Sequence, residues 1–401
     1  MQDEARHSVG IDIGTDTVRV AIGLTKGKNP LAVIGHGEAK NSGMRKGVII
    51  NIDRTAEAID RALGAAEKMS GYHAANATVS LNGSHISGFS SHGVIAVTGR
   101  EVGADDVHRA EDAAAVVQLG ENREIIDITP RSYSLGDQEN IKDPIGMTGV
   151  RLEVDAYIIT ALTPHIANLR KALELTELPK NTMVLAGIAA AKAVLTDQLR
   201  ENGVALLDIG GSTTNLAVFE EGELLHTAVL PVGGNNITND LAIGLRTELD
   251  IAERVKREYA VAMPNLRKNA GYIRIKSDDK TCMFDTRLVD EIVEARLQEI
   301  FELANLELKS IKRLAKLPGG VVLTGGGAHL TGIAECARET MRLSARVLSP
   351  PKFDGMGDKL AHPQWATALG LMMIDADDSL MTFQKNPPKK GGFWSFGRAR
   401  K

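Results

Sequence analysis

Residues 204–218 read VALLDIGGSTTNLAV. The apolar run VALL ends at an acid, Asp208. Then come Gly210, Gly211, Ser212, Thr213 and Thr214, and a second apolar run, LAV. Two short apolar runs joined by glycine and small hydroxyl residues predict a tight β-hairpin. Glycines without Cβ let backbone N–H groups approach an anion closely, which turns such a hairpin into a phosphate cradle. Asp208, at the strand end, sits where a carboxylate orients a hydrated divalent cation. By itself the stretch also fits a plain hairpin.

Residues 9–20, VGIDIGTDTVRV, repeat the plan with Asp12, Gly14, Thr15, Asp16 and Thr17. A third turn, VVLTGGGAHLTG over 321–332, sets Gly325, Gly326 and Gly327 after another apolar strand. Two matching acid–glycine hairpins and a later triple-glycine turn predict two similar halves closing on one nucleotide. This trio resembles the actin superfamily. The resemblance implies an α/β, ribonuclease-H-like two-domain duplication. The first hairpin would be the phosphate-1 loop (Gly14, Thr15, Asp16, Thr17) and the second the phosphate-2 loop (Gly210, Gly211, Ser212, Thr213). The late turn, Gly325–Gly327, would contact adenosine. Asp12 and Asp208 would be the catalytic pair, holding Mg2+ through water beside ATP.

At 401 residues the chain has room for two or more domains. It is 43% hydrophobic and 24% charged, the balance of an ordinary globular protein. A net charge of −4 gives no sign of a nucleic-acid partner. The two cysteines have no metal spacing and read as reduced cytosolic thiols. The polar start MQDEARHS is not a signal peptide, and no apolar run is long enough to span a bilayer. A Walker P-loop is absent.

In chain order, three strands lead to GMRKGVIIN (43–51), a loop running into a short strand. A helix over 53–69 follows, with Asp53 as N-cap and Gly71 past its end. Residues 82–161 have the pattern of a compact α+β insertion. Residues 164–178 predict a helix, and 183–195 a strand entering an Ala-rich helix. Gly233, Gly234 and Asn235 stand at the mouth of another helix, whose free N–H groups suit phosphate or ribose; a capped ordinary helix has the same look. Glu253 and Lys256 share one helical face, either as a solvated ion pair or as a grip on ribose and adenine. An amphipathic helix is expected over 288–317.

Residues 389–401, KKGGFWSFGRARK, form a separate object after Pro387-Pro388. They carry five basic residues and no acid, opposite in sign to the whole chain. Phe393, Trp394 and Phe396 with Arg398, Arg400 and Lys401 suggest an amphipathic helix anchored on anionic lipid. A solubilising tail is the alternative. The anchor would be weak singly and strong on a polymer.

The whole order resembles the FtsA family of bacterial actin-like cell division proteins, over nearly the full chain. GMRKG (43–47), NGSHIS (82–87) and PIGMTGVRLE (144–153) carry that resemblance beyond the nucleotide motifs. It implies subdomain 1A over 1–81 and 162–202, an SHS2-type subdomain 1C over 82–161, and 2A over 203–237 and 316–364. It further implies 2B over 238–315, a return helix over 365–374, a linker over 375–390 and a membrane-targeting helix over 391–401. The implied role is to bind ATP, polymerise on the cytoplasmic face of the cell membrane and tether FtsZ filaments there. The FtsZ C-terminal peptide would meet Arg296 on 2B, and other division proteins would meet 1C.

Two departures matter. Thr17 stands where the family usually has lysine, although Arg19 shares its strand face by alternation. Asn215 stands where many members have aspartate, and Ser212 replaces a glycine. Mg-ATP binding with slow hydrolysis or none is expected. The rivals are a PilM-like pilus-assembly homologue, which the basic aromatic tail disfavours, and a small-molecule kinase, for which no further acid or base offers itself.

Overall fold

The computed structural model describes residues 5–377 except 28, 177, 179, 278, 279 and 356. The two aspartate-bearing hairpins form the centres of two sheets built to one plan. In the first, Ala5–Ile13 runs antiparallel to Thr17–Lys26, which pairs in turn with Ala32–Lys40. On the other side, Asn76–Leu81 and then Lys180–Leu185 add in parallel. In the second, Val204–Ile209 runs antiparallel to Thr214–Glu220, which pairs with Glu223–Leu230. Val321–Thr324 and then Ala345–Val347 add in parallel beyond Val204–Ile209. Both sheets therefore follow the strand order third, second, first, fourth, fifth; the first gains the short Asp354–Gly355 at its edge. The fold is the α/β duplication expected from the paired turns.

Helices cover both faces of the sheets, so the central strands are apolar on both sides. All of Val204, Ala205, Leu206, Leu207 and Ile209 are inaccessible to solvent. Two helices lie between the halves, Ala186–Val194 and Ala366–Ala376, packed on each other and on the first sheet. Their seam is close because it is made of glycine and alanine. A Cβ on Gly370 would overlap the Ala189 carbonyl oxygen, and one on Gly10 would overlap the Ala368 carbonyl oxygen. At the far end of Ala366–Ala376, Asp375 accepts from the backbone N of Val9 at 2.8 Å and from the Thr78 hydroxyl at 2.9 Å.

The insertion is a four-stranded sheet, in the order Ser87–Ala96, Arg151–Leu162, Arg123–Leu135, Gln138–Ile141, with the helix Ala104–Ala114 against it. It leaves the first half but also reaches the second. Arg131 donates to the carbonyl of Leu224 at 2.9 Å and to that of Leu225, with its guanidinium 4.6 Å from the Tyr157 ring centre. The Tyr157 hydroxyl accepts from the backbone N of Thr227 at 3.1 Å and lies 3.2 Å from His226 Nδ1. Lys142 pairs with Glu223 at 3.1 Å. Tyr157→Phe leaves the Thr227 N–H buried without its acceptor, a loss of about 1–3 kcal/mol. Faster amide exchange at Thr227 is the expected result; unchanged exchange there would show that the contact contributes nothing.

Several local expectations need correction. The helix after GMRKG spans Ile52–Ser70, and its N-cap is Asn51, whose side chain accepts from Arg54 N, rather than Asp53. Residues 43–51 contain a hairpin, Met44–Arg45 against Val48–Ile49, not a loop entering one strand. The predicted 164–178 helix spans only Thr163–Glu174. The long helix is Thr286–Ser310; Lys312 and Ala315 take positive φ, so Leu317 joins the core from a loop. The expected helix over 391–401, with Phe393, Trp394, Phe396, Arg398, Arg400 and Lys401, lies outside the described residues.

Candidate functional site

Each hairpin presents its aspartate one residue before the turn region, and the two halves bring the pair face to face. Asp208 is 7% exposed. Its Oδ2 accepts from Asn215 Nδ2 at 3.2 Å, its cross-strand neighbour, and from the Thr367 hydroxyl at 3.3 Å, at the start of the interdomain helix. Burial pushes its carboxyl up to about 6, and the negative charge of Asp12 adds to the rise. Burial likewise raises Asp12, with Arg19 and Ser80 acting in the opposite sense. Two like-charged carboxylates held against water in this way favour a cation between them.

The donor set is all oxygen. Among the described residues no third His, Cys, Asp or Glu completes a metal cluster. Two carboxylates fit a hard cation that keeps most of its water and takes phosphate oxygens, as Mg2+ does. Soft or tetrahedral metals do not fit this set.

The loop tips meet directly. Asn235 Nδ2 donates to Asp16 Oδ1 at 2.8 Å and to Ser212 Oγ at 3.3 Å. Asn82 Nδ2 donates to Thr213 Oγ1 at 3.1 Å. Asn41 ties the first loop from behind, donating through Nδ2 to the Gly14 carbonyl at 2.9 Å and through its backbone N to that of Asp16 at 2.8 Å. Gly14, Thr15, Asp16 and Thr17 thus face Gly210, Gly211, Ser212 and Thr213 across one cleft. A Cβ on Gly211 would overlap the Asp16 carboxylate.

The glycine helix Gly234–Gly244 begins at the same place, but its first N–H groups are not free. Gly234 N donates to the Gly210 carbonyl at 2.9 Å and Asn235 N to that of Gly211 at 2.7 Å. This corrects the expectation of open donors at Gly233, Gly234 and Asn235: the helix start braces the second hairpin. Glu253 and Lys256, on the helix Leu249–Tyr259, stand over it. Lys256 Nζ donates to Glu253 Oε2 at 2.6 Å, to the Thr238 hydroxyl at 2.8 Å and to the Gly234 carbonyl at 3.0 Å. Burial would raise the Glu253 carboxyl, but the bonds from Lys256 and Thr238 hold it below its ordinary value. The pair is therefore anchored to the site's own framework, with Lys256 largely covered and Glu253 still partly open to solvent.

In the late turn, Gly325 has φ 83°. A Cβ there would overlap Asp208 Oδ1, and one on Gly327 would overlap the Ile209 side chain. Only glycine allows this turn to lie against the strand end bearing Asp208. Gly326 faces open space, with nothing within 4 Å of where a Cβ would be. The turn therefore lines the cleft rather than filling it.

Arg296 is separate from all of this. Its Nε and Nη2 hold Asp240 at 2.6 and 3.0 Å, and Nη1 holds Glu299.

Sequence reading underrated some residues and missed others. Arg19 lies directly opposite Asp12 in the strand register and offsets the burial of both aspartates, so alternation across a two-stranded turn was the available signal. Thr367, Ser80 and Asn41 come from distant segments and carry no local signature; Asn82 opens the NGSHIS motif, whose pattern does not disclose its bond to Thr213.

The sequence profile described as "Cell division protein FtsA" matches residues 205–370, and that of the "SHS2 domain inserted in FTSA" matches 83–160. The chain is 35% identical to the cell division protein FtsA of Pseudomonas aeruginosa over 91% of its own length and 88% of that protein's. It is 36% identical to that of Bacillus subtilis, over 91% and 82%, and 30% identical to that of Escherichia coli, over 93% and 91%. Among solved structures, a chain of a PilM–PilN type IV pilus biogenesis complex superposes over 92% of this chain and 98% of that one, with a TM-score of 0.66 at 17% identity. MreB5 of Spiroplasma citri bound to ADP does so over 92% and 95%, with a TM-score of 0.57 at 13% identity. These two likenesses speak for the fold alone.

Proposed function

Since the chain belongs to the FtsA family of actin-like cell division proteins, we propose that it binds Mg-ATP in the cleft between its halves. In this reading it assembles with copies of itself and ties FtsZ filaments to the cytoplasmic face of the cell membrane. The observation that carries the nucleotide part is the opposition of Asp12 and Asp208 between two glycine–hydroxyl loops. The SHS2 insertion at 83–160 marks the family member rather than the fold at large.

Mg2+ would lie between Asp12 and Asp208 through water, neutralising charge on the nucleotide phosphates. Gly14–Thr17 and Gly211–Thr213 would supply backbone N–H and hydroxyl donors to those phosphates, the Gly210 N–H being held by the Thr213 carbonyl at 2.9 Å. Glu253 and Lys256, fixed above the helix start, would take ribose and adenine, and Gly326 leaves room for the nucleoside beside Gly325 and Gly327. In this reading Asp208, which already accepts from Asn215 and Thr367, orients a hydrated cation rather than taking a proton. Slow turnover or none fits that arrangement, with nucleotide acting on conformation and assembly.

The division into 1A, 1C, 2A and 2B with a return helix remains part of this reading, as does a peptide site at Arg296. There an acidic peptide would have to compete with Asp240 for the guanidinium. Among the described residues no helix is long and apolar enough to cross a membrane. Attachment would therefore rest on the aromatic and basic residues of 389–401. Flotation with anionic vesicles tests this. The full chain with Mg-ATP is expected to float and a version ending at Pro388 to stay in solution; flotation of neither would remove the tether from the reading.

A further inference from the structure

We propose that Lys46 is the cation that meets the terminal phosphate of a bound nucleoside triphosphate, and so lets the cleft distinguish triphosphate from diphosphate. This rests on the nucleotide reading above. Among the described residues, two cations near the cleft, Arg19 and Lys256, are already engaged. Arg19, opposite Asp12 and with its charge set against the two aspartates, lies 3.5 Å from Glu38 and has its guanidinium 5.8 Å from the Trp365 ring centre. Lys256 is committed to three acceptors.

The GMRKG hairpin comes to the phosphate loops. Its two-residue turn is Lys46-Gly47, with φ 51° and 76°. Gly47 N donates to the Thr15 hydroxyl at 3.2 Å. A Cβ on Gly47 would sit 3.1 Å from the Thr213 methyl and 2.9 Å from Gly83 Cα. The turn therefore touches the tips of both phosphate loops at once. Asn41, whose Oδ1 accepts from Gly43 N at 2.9 Å, binds the hairpin's base to the first loop. Gly326 and the Glu253–Lys256 pair mark the nucleoside end of the cleft. Thr15 and Thr213, with Gly47 against both, mark the end that the last phosphate of a triphosphate reaches and a diphosphate leaves empty.

Lys46 is exposed at this rim on a flexible four-carbon stem. Two-residue turns of this kind favour Asn, Asp or Gly, whose backbones accept positive φ. A lysine there is held against local preference, which is where a functional demand on the side chain is to be sought.

Calorimetric titration of the full chain with MgATP and with MgADP tests the assignment. Lys46→Met is expected to weaken MgATP about tenfold, the effect of losing one charge-assisted contact, and to leave MgADP within about twofold. Lys46→Asn, which relaxes the backbone while removing the same charge, is expected to give the same loss of discrimination. Lys46→Arg should keep it. Arg45→Met, one residue away, should change neither affinity. An unchanged ATP-to-ADP ratio in Lys46→Met, or an equal loss in Arg45→Met, would overturn the assignment. Absence of any nucleotide binding by the parent chain would instead overturn the reading of the cleft itself, and this assignment with it.

Discussion

Asp208→Asn is expected to weaken Mg-ATP binding about a hundredfold and, in the absence of nucleotide, to make the protein more stable at neutral pH. The two effects have one cause. Asn keeps an oxygen for Asn215 and Thr367 but removes the charge that a hydrated cation needs; a buried charged contact of this kind contributes up to about 3 kcal/mol. The same charge is a burden when no cation is present. The Asp208 carboxyl rises from 3.8 in the unfolded chain to about 6 in the fold. Its favourable contribution is complete below pH 4 and is lost as pH rises through 6. Above that, ionised Asp208 costs stability relative to a residue that does not titrate. Thermal unfolding without nucleotide should therefore show Asp208→Asn ahead of the parent at pH 7.5, with the gap closing toward pH 4. Equal Mg-ATP affinity in parent and variant would take Asp208 out of the site. A gap in stability that does not depend on pH would mean that Asp208 carries no buried charge.

Gly370→Ala is expected to lower unfolding stability by about 3 kcal/mol. Helix propensity alone predicts the opposite, since alanine is favoured over glycine inside a helix by about 1 kcal/mol. At Gly370 the new methyl would overlap the Ala189 carbonyl oxygen, part of a rigid helix that cannot swing aside. Forcing the two helices apart costs more than the propensity gain. Gly64 is the control: it lies in the helix Ile52–Ser70 with nothing within 4 Å of its absent Cβ. Gly64→Ala should raise stability by about 1 kcal/mol. Denaturant midpoints for the two variants should move in opposite directions; a shared direction would show that the interhelical seam tolerates a methyl.

The hairpins were legible because their chemistry is local. An acid, glycines and small hydroxyls between two apolar runs dictate a turn, and repeating the pattern twice exposes the duplication. The strand order of each sheet then follows from the same plan. Distance explains what was not legible. The donors at Gly234 and Asn235 are taken by Gly210 and Gly211, which no helix pattern discloses. Thr367 reaches Asp208 from the far end of the chain. Leu314 and Leu317 continue the apolar period of the long helix, yet Lys312 and Ala315 turn the backbone with positive φ. Periodicity reports that a side chain is buried, not that the backbone carrying it is helical. Asn51 and Asp53 are both good caps, and only the path of the preceding hairpin chose Asn51.

The position of the helix Ala366–Ala376 also fixes an order in time. It lies on Ala5–Ile13, a strand far upstream in the chain, and its Asp375 closes bonds to Val9 and Thr78. That strand lacks its cover until residues 366–376 have been synthesised. The second sheet, by contrast, has its strands between Val204 and Val347. The half made first is therefore finished last. Contacts of such long sequence separation are slow to form, and an uncovered apolar sheet is a target for aggregation and for chaperones. A chain ending at residue 350 and released from the ribosome should hold a protease-resistant second sheet beside a first half that is still open.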